Sequence, residues 1–188
     1  MGNQQETINQ AEIGWLAGII DGEGSIAMNV RKKELRGWQG YGIDVCLTVT
    51  NSDAAIIDKC EALLGKMGLT PLVYQVKNAP LYRADGRRYQ NVITRILRLS
   101  LSRMADILRC LIILQPHLTG QKRARANLLC RFLERRLKRQ TKRSKGGRAH
   151  YDHMDWDLVR QFYELKKTDL PDAIVGILRD YTREAVVS

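Results

Sequence analysis

The stretch GWLAGIIDGEGS, residues Gly14 to Ser25, decides the fold. Its apolar residues are dense around the turn, as in a packed helix, yet Gly14, Gly18 and Gly22 recur at every fourth position. An interior glycine costs a helix about 0.5–1 kcal/mol relative to alanine. Asp21 and Glu23 then stand at the carboxyl end, where the helix dipole disfavours negative charge. Glycines at this spacing leave a groove in which a second helix backbone can approach closely. The chain has only one such segment, so its simplest partner is a second copy about a two-fold axis, with Gly14, Leu16, Ala17 and Gly18 at the interface. A lone helix packed tightly on its own sheet accounts for the glycines equally well. A divalent cation would turn the two acids into ligands. Hard oxygen donors, including carbonyls left over at a helix terminus, suit magnesium. Acids that serve only as solvated helix-end residues are the plainer alternative.

Outward from this segment the period of the pattern changes. Asn9 and Glu12 have the spacing of a capping box, which predicts a helix over residues 10–20. From Ser25 the alternation is two: Ile26, Met28 and Val30 on one side, Ser25, Asn29, Arg31 and Lys33 on the other. IDVCLTVTN repeats it, with Ile43, Val45, Leu47 and Val49 opposed to Asp44, Cys46, Thr48 and Thr50. Two antiparallel strands follow from this. A second helix, NSDAAIIDKCEALLGKMG, is capped by Ser52 or Asp53. TPLVYQVKN and RRYQNVITRILRLS read as a further hairpin with Asp85-Gly86 in its tip. LSRMADILRCLIILQPHL gives a third helix ending near Pro116, and QKRARANLLCRFLERRLKRQ a fourth, basic one.

The order is α-ββ-α-ββ-α-α, an α+β fold with a four-stranded antiparallel sheet and C-terminal helices. Residues 1–140 are expected to form the core, 141–150 a basic linker and 151–188 a helical extension anchored by Trp156 and Phe162. One sheet face is apolar and holds the helices. The other is expected to carry Asn29, Arg31, Lys33, Thr48, Thr50, Gln75 and Lys77, with Thr94 and Arg98 outward on the fourth strand. A two-stranded ribbon fits the DNA major groove, where alternate side chains reach base edges. Arg83, Arg87 and Arg88 at the second hairpin's tip suit a phosphate backbone, or are simply a solvated loop.

The 188 residues are 44% hydrophobic, enough for a real core, and carry a net charge of +11 from 31 basic and 20 acidic side chains. That excess favours a polyanionic partner. No apolar run is long enough to span a bilayer, so no membrane is expected. Cys46, Cys60, Cys110 and Cys130 are far apart with no C-x-x-C pair, which argues against a zinc site or a disulfide framework and fits free thiols in an intracellular, reducing compartment. Carboxylates, a cation and a basic sheet together point to phosphodiester hydrolysis.

WLAGIIDGEGSI, Trp15 to Ile26, closely resembles the LAGLIDADG motif of the homing endonucleases: Leu16, Ala17, Gly18, Ile19, Ile20, Asp21, Gly22, Glu23 and Gly24 fill its nine positions in order. The resemblance extends over the α-ββ-α-ββ-α order, residues 8 to 140. A single motif in a chain of this length is similar to the homodimeric members, which cut pseudo-palindromic double-stranded DNA. The resemblance implies that Glu23 is the catalytic acid and a ligand of Mg2+ (or Mn2+), with aspartate commoner at that position. It implies that Gly22 lends its backbone carbonyl, and that Asp21 is structural. It places Asn51, where glutamine is frequent, as a polar residue that positions water. Lys122, in LQPHLTGQKRARAN, best matches the basic residue after the third helix, with Gln121 and Arg123 as neighbours. A further basic residue early in the second helix is replaced by Ala54 and Ala55.

The activity implied is a site-specific, intron-encoded homing endonuclease acting as a homodimer and leaving staggered 3′ overhangs. The alternatives are an intron RNA maturase and a non-cleaving DNA-binding protein on the same scaffold. Retention of Glu23 favours cleavage, since binding alone does not require that acid.

Overall fold

The computed structural model describes residues 7–35, 38–76, 96–140 and 151–166, together with 172, 175 and 176. Helix α1 runs from Gln10 to Glu23. Its start is the expected capping box: the Glu12 N–H donates to Asn9 Oδ1 and the Asn9 N–H to Glu12 Oε2, both at 3.0 Å. The helix continues three residues beyond the expected end at Ile20, because the Gly24 N–H caps the Ile19 and Ile20 carbonyls. Asp21, Gly22 and Glu23 are thereby its final turn. Strand β1 (Gly24–Leu35) leaves at once, and β2 (Trp38–Asn51) follows. A Cβ on Gly24 would lie 2.7 Å from both Ile20 Cα and Ile20 O, so only glycine permits so abrupt a change from helix to strand.

Helix α2 (Ala54–Lys66) is capped by Asp53, whose side chain accepts the Ala55 N–H at 2.9 Å. It ends at Gly68, at φ +69. Strands β3 (Leu72–Val76) and β4 (Ile96–Leu101), helix α3 (Met104–Leu114), a 3-10 turn at Gln115–His117, α4 (Gly120–Gln140) and α5 (His153–Lys166) complete the order. The α-ββ-α-ββ-α-α reading is therefore observed. The sheet has the order β1-β2-β4-β3, and β4 is antiparallel to both its neighbours. Among the described residues no helix is long and apolar enough to cross a membrane.

The chain divides into two compact units. One ends at Ala27 and resumes with Cys46–Leu118; the other comprises Met28–Val45 and the chain from Thr119 onward. In the first, α1 buries Ile13, Leu16, Ala17 and Ile20. They belong to a core with Leu47 and Val49 of β2, Leu99 and Leu101 of β4, Ile57 and Leu64 of α2, and Ile107 and Leu111 of α3. Removal of such side chains from water is the main stabilising term, about 1.5–3 kcal/mol each. In the second unit α5 packs on α4. Phe132 and Leu133 of α4 are buried, as are Trp156, Val159 and Phe162 of α5, so the two expected anchors of the extension are core residues. Residues 141–150, the expected linker, lie outside the described residues.

Candidate nuclease centre and sheet face

The end of α1 and the end of β2 meet at a hydrogen-bonded pair. Asn51 Nδ2 donates to Glu23 Oε2 at 2.9 Å, and Asn51 Oδ1 accepts the Asp53 N–H at 2.8 Å. A backbone N–H can only donate, so the second bond fixes which end of the amide faces Glu23. Asn51 thus ties the acid at the end of one helix to the turn that starts the next. Glu23 is exposed and Asp21 half-buried, which separates the two motif acids. Carbonyls of a helix's last turn have no intrahelical donor. The Gly24 N–H serves the Ile19 and Ile20 carbonyls, and Gly22 lies in the helix's last turn beside Glu23. A carboxylate and backbone oxygens form a hard donor set of the kind magnesium takes with one or two carboxylates, waters and substrate phosphates. Among the described residues no group of three or more His, Cys, Asp or Glu could hold a metal by itself. The described residues of one copy thus bring one exposed motif carboxylate, Glu23, to this point.

The sheet register sorts the remaining side chains. Thr50 stands opposite Arg98, and Arg98 opposite Tyr74; Thr48, Ser100 and Leu72 form the next row on the same face. Arg98 Nε donates to Thr50 Oγ1 at 3.3 Å, which orients the guanidinium along the row. Val49, Leu99 and Val73 form the row between, on the helix-bearing face. Gln75 pairs with Leu97 and hence with Asn51, so it shares the parity of Val73 and not that of Thr48 and Thr50. This corrects the expected face for Gln75. Leu72 and Tyr74, 65% and 40% exposed, occupy the open face instead. Sequence reading passed over both because they are apolar or aromatic, and only the pairing with β4 reveals their side.

In the second unit Asn29 is half-buried and Arg31 exposed, with Arg31 Nε 3.3 Å from Asp44 Oδ2. Lys33 lies in β1. Lys77, Arg83, Arg87, Arg88 and Thr94 lie outside the described residues. Lys122 is half-buried in the first turn of α4. Its neighbour Gln121 is engaged in structure: Nε2 donates to the Leu165 carbonyl, and Oε1 accepts from Arg125 Nη2 at 3.2 Å. Of the four residues expected at a dimer interface, Leu16 and Ala17 are 0% and 1% exposed within their own unit. This too is a correction, since both side chains are already buried in the chain's own core. Gly14 and Gly18 remain exposed, with no atom of the described residues within 4 Å of an added Cβ, and Gly22 continues the stripe.

No family model matches the sequence, and no curated protein matches it. Solved structures do match. The homing endonuclease I-CvuI, in complex with its target, is 21% identical at a TM-score of 0.59, covering 92% of this chain and 96% of that one. The archaeal intron-encoded homing endonuclease I-Vdi141I, complexed with DNA, is 14% identical at 0.57, covering 92% and 97%. The fold is that of the LAGLIDADG homing endonucleases. The LAGLIDADG homing endonuclease I-GzeII, in complex with a DNA target, matches at 12% identity and a TM-score of 0.56 over 92% of this chain but 50% of its own. The LAGLIDADG fold thus occurs once in this chain, in agreement with the single motif, and that motif occupies α1 and its junction with β1.

Proposed function

We propose that the protein is a site-specific double-strand DNA endonuclease, intron-encoded, that works as a homodimer and requires a divalent cation, Mg2+ or Mn2+. The observation that carries this reading is the hydrogen-bonded Glu23–Asn51 pair at the end of the motif helix. A carboxylate at that end of a helix is electrostatically misplaced unless a cation joins it. The fold shared with DNA-bound homing endonucleases and the net charge of +11 support a DNA substrate.

In this mechanism the open sheet face lies along a major groove. Thr48, Thr50 and Arg98 reach base edges, and Leu72 offers an apolar contact to a thymine methyl. Arg31 and Asn29 on β1 also reach base edges, and the arginines at 83, 87 and 88 neutralise phosphates. Glu23, with the Gly22 carbonyl, holds the cation. That ion, when bound, offsets the charge that builds on the scissile phosphate. Asn51 fixes the rotamer of the Glu23 carboxylate and presents a polar edge to attacking water. Lys122 supplies a positive charge to the transition-state phosphate. Two copies related by the Gly14–Gly18–Gly22 face set one Glu23 against each strand, and staggered cuts leave 3′ overhangs.

The test is cleavage of a plasmid carrying the intron-insertion sequence, with magnesium and then with EDTA. The wild type is expected to cut only with the metal, and Glu23→Gln to bind the duplex without cutting. Cleavage that survives EDTA or Glu23→Gln overturns the metal assignment. Binding to intron RNA or DNA with no cutting by the wild type moves the reading to a maturase or a non-cleaving binder.

A further inference from the structure

Two backbone N–H groups of the β1–β2 hairpin are held by side chains from far along the chain. The Val30 N–H donates to the Tyr163 hydroxyl at 3.2 Å, and the Ile43 N–H to the Tyr151 hydroxyl at 3.0 Å. Val30 lies between Asn29 and Arg31, and Ile43 adjoins Asp44, the ion-pair partner of Arg31. The two anchors therefore grip the strands at the residues whose side chains are candidates for reading DNA.

The anchors are themselves fixed. The Tyr151 ring has Arg136 Cζ 4.3 Å from its centroid, Trp156 edge-on at 5.4 Å and Phe132 stacked at 6.4 Å. Arg136, 5% exposed, lies 3.6 Å from Asp155, which is fully buried. The Asp155 and Asp152 carboxylates in turn each accept the other's backbone N–H in a capping box at the start of α5. Tyr163 is buried in α5, with Lys166 Nζ 5.5 Å from its ring centroid. Rings packed on several sides keep their hydroxyls in place, and a held hydroxyl sets the height of the strand it bonds. Direct readout tolerates little displacement, since a bidentate contact is lost over an ångström.

We infer that Tyr151 and Tyr163 are positioning residues for DNA reading, through which the C-terminal segment holds the β1–β2 hairpin so that Arg31 and Asn29 meet defined base pairs. The inference rests on the proposed DNA-binding function. Neither tyrosine needs to touch DNA.

The experiment uses the full chain, the variants Tyr151→Phe and Tyr163→Phe, and Arg31→Ala as a marker. Three quantities are read: amide exchange at Val30 and Ile43, affinity for an unrelated duplex, and the base preference selected from a randomised duplex library. Each phenylalanine removes one hydroxyl and keeps the ring, so the fold and the affinity for an unrelated duplex are expected to hold. Exchange at the released amide should rise on the order of fivefold, as expected for one neutral hydrogen bond. Preference at the base pairs that Arg31→Ala identifies should fall by a comparable factor, and at other base pairs should not change. Wild-type protein with no base preference overturns the proposed function. Wild-type preference that survives intact in both phenylalanine variants overturns the positioning role alone, as does unchanged amide exchange.

Discussion

Replacement of Gly18 by alanine separates two accounts of the glycine stripe by sign. Gly18 lies inside α1, is exposed, and among the described residues has no atom within 4 Å of the new Cβ. In an isolated subunit the methyl meets none of the described residues, so helix propensity decides the sign. The gain is about 0.8–1 kcal/mol, or about 2–4 °C in melting temperature for a chain of this size. In a dimer closed through Gly14, Gly18 and Gly22 the methyl appears once from each copy, between backbones that approach because nothing separates them. Overpacking of a close contact costs about 1–3 kcal/mol, and here it acts twice, so the dimer loses more than the subunit gains. Sedimentation velocity over a concentration series, with urea unfolding at the lowest concentration, reads both terms. The expected result is a weaker dimer whose dissociated subunit is more stable than wild type. A Gly18→Ala protein that remains fully dimeric and melts higher refutes the shared-stripe geometry. Destabilisation of the dissociated subunit refutes the open face.

Gly24→Ala should be destabilising by about 1–3 kcal/mol, because its Cβ meets the Ile20 backbone at 2.7 Å and no side chain can yield; a urea midpoint unchanged from wild type counts against this. Asn51→Ala should slow single-turnover cleavage by about 10–100-fold and cost about 1 kcal/mol of stability, since it frees Glu23 and leaves the Asp53 N–H without its acceptor. Burial pushes the Asp152 carboxyl up, but the Asp155 backbone N–H and the Arg139 and Arg135 guanidiniums outweigh it and hold the group below its ordinary value. Its contribution is then complete above about pH 4 and is lost as pH falls through the lower folded value, so urea midpoints of wild type and Asp152→Asn should converge on acidification. Burial raises the Cys60 and Cys130 thiols to about 11. Iodoacetamide at pH 8 should therefore modify half-buried Cys46 first and reach those two only on unfolding, which mass spectrometry can follow.

What could be read from the sequence, and what could not, follows from the range of each interaction. The α1 capping box joins residues three apart, so composition alone reveals it. The alternation in β1 and β2 reports burial on one face, and Ile43, Val45, Leu47 and Val49 are buried as it requires. In LVYQV the same rule fails: large apolar side chains occur at both parities, and pairing with β4 puts Leu72 and Tyr74 on the open face. Which face such a residue takes is set by its cross-strand partner and not by its own polarity. The Glu23–Asn51 bond spans 28 residues, and the tyrosine anchors span 108 and 133, so no pattern within one element could announce them.

The last step joins the two oddities of the motif. Gly24 is forced by contact with Ile20, whereas a Cβ at Gly14, Gly18 or Gly22 would meet none of the described residues within 4 Å. Packing inside one subunit therefore explains one glycine of the four and leaves the helix with an uncompensated propensity cost at three. The same helix ends on an exposed carboxylate that Asn51 orients but does not neutralise, since an amide carries no charge. A steric and an electrostatic oddity thus lie on one short element, and among the described residues the contacts of GIIDGEG account for Gly24 alone. A second backbone along the stripe and a cation at its end would settle both. Because the two are independent, Gly18→Ala and metal removal should fail separately: the first by dissociation with Glu23 intact, the second by loss of cleavage in a protein that still sediments as a dimer.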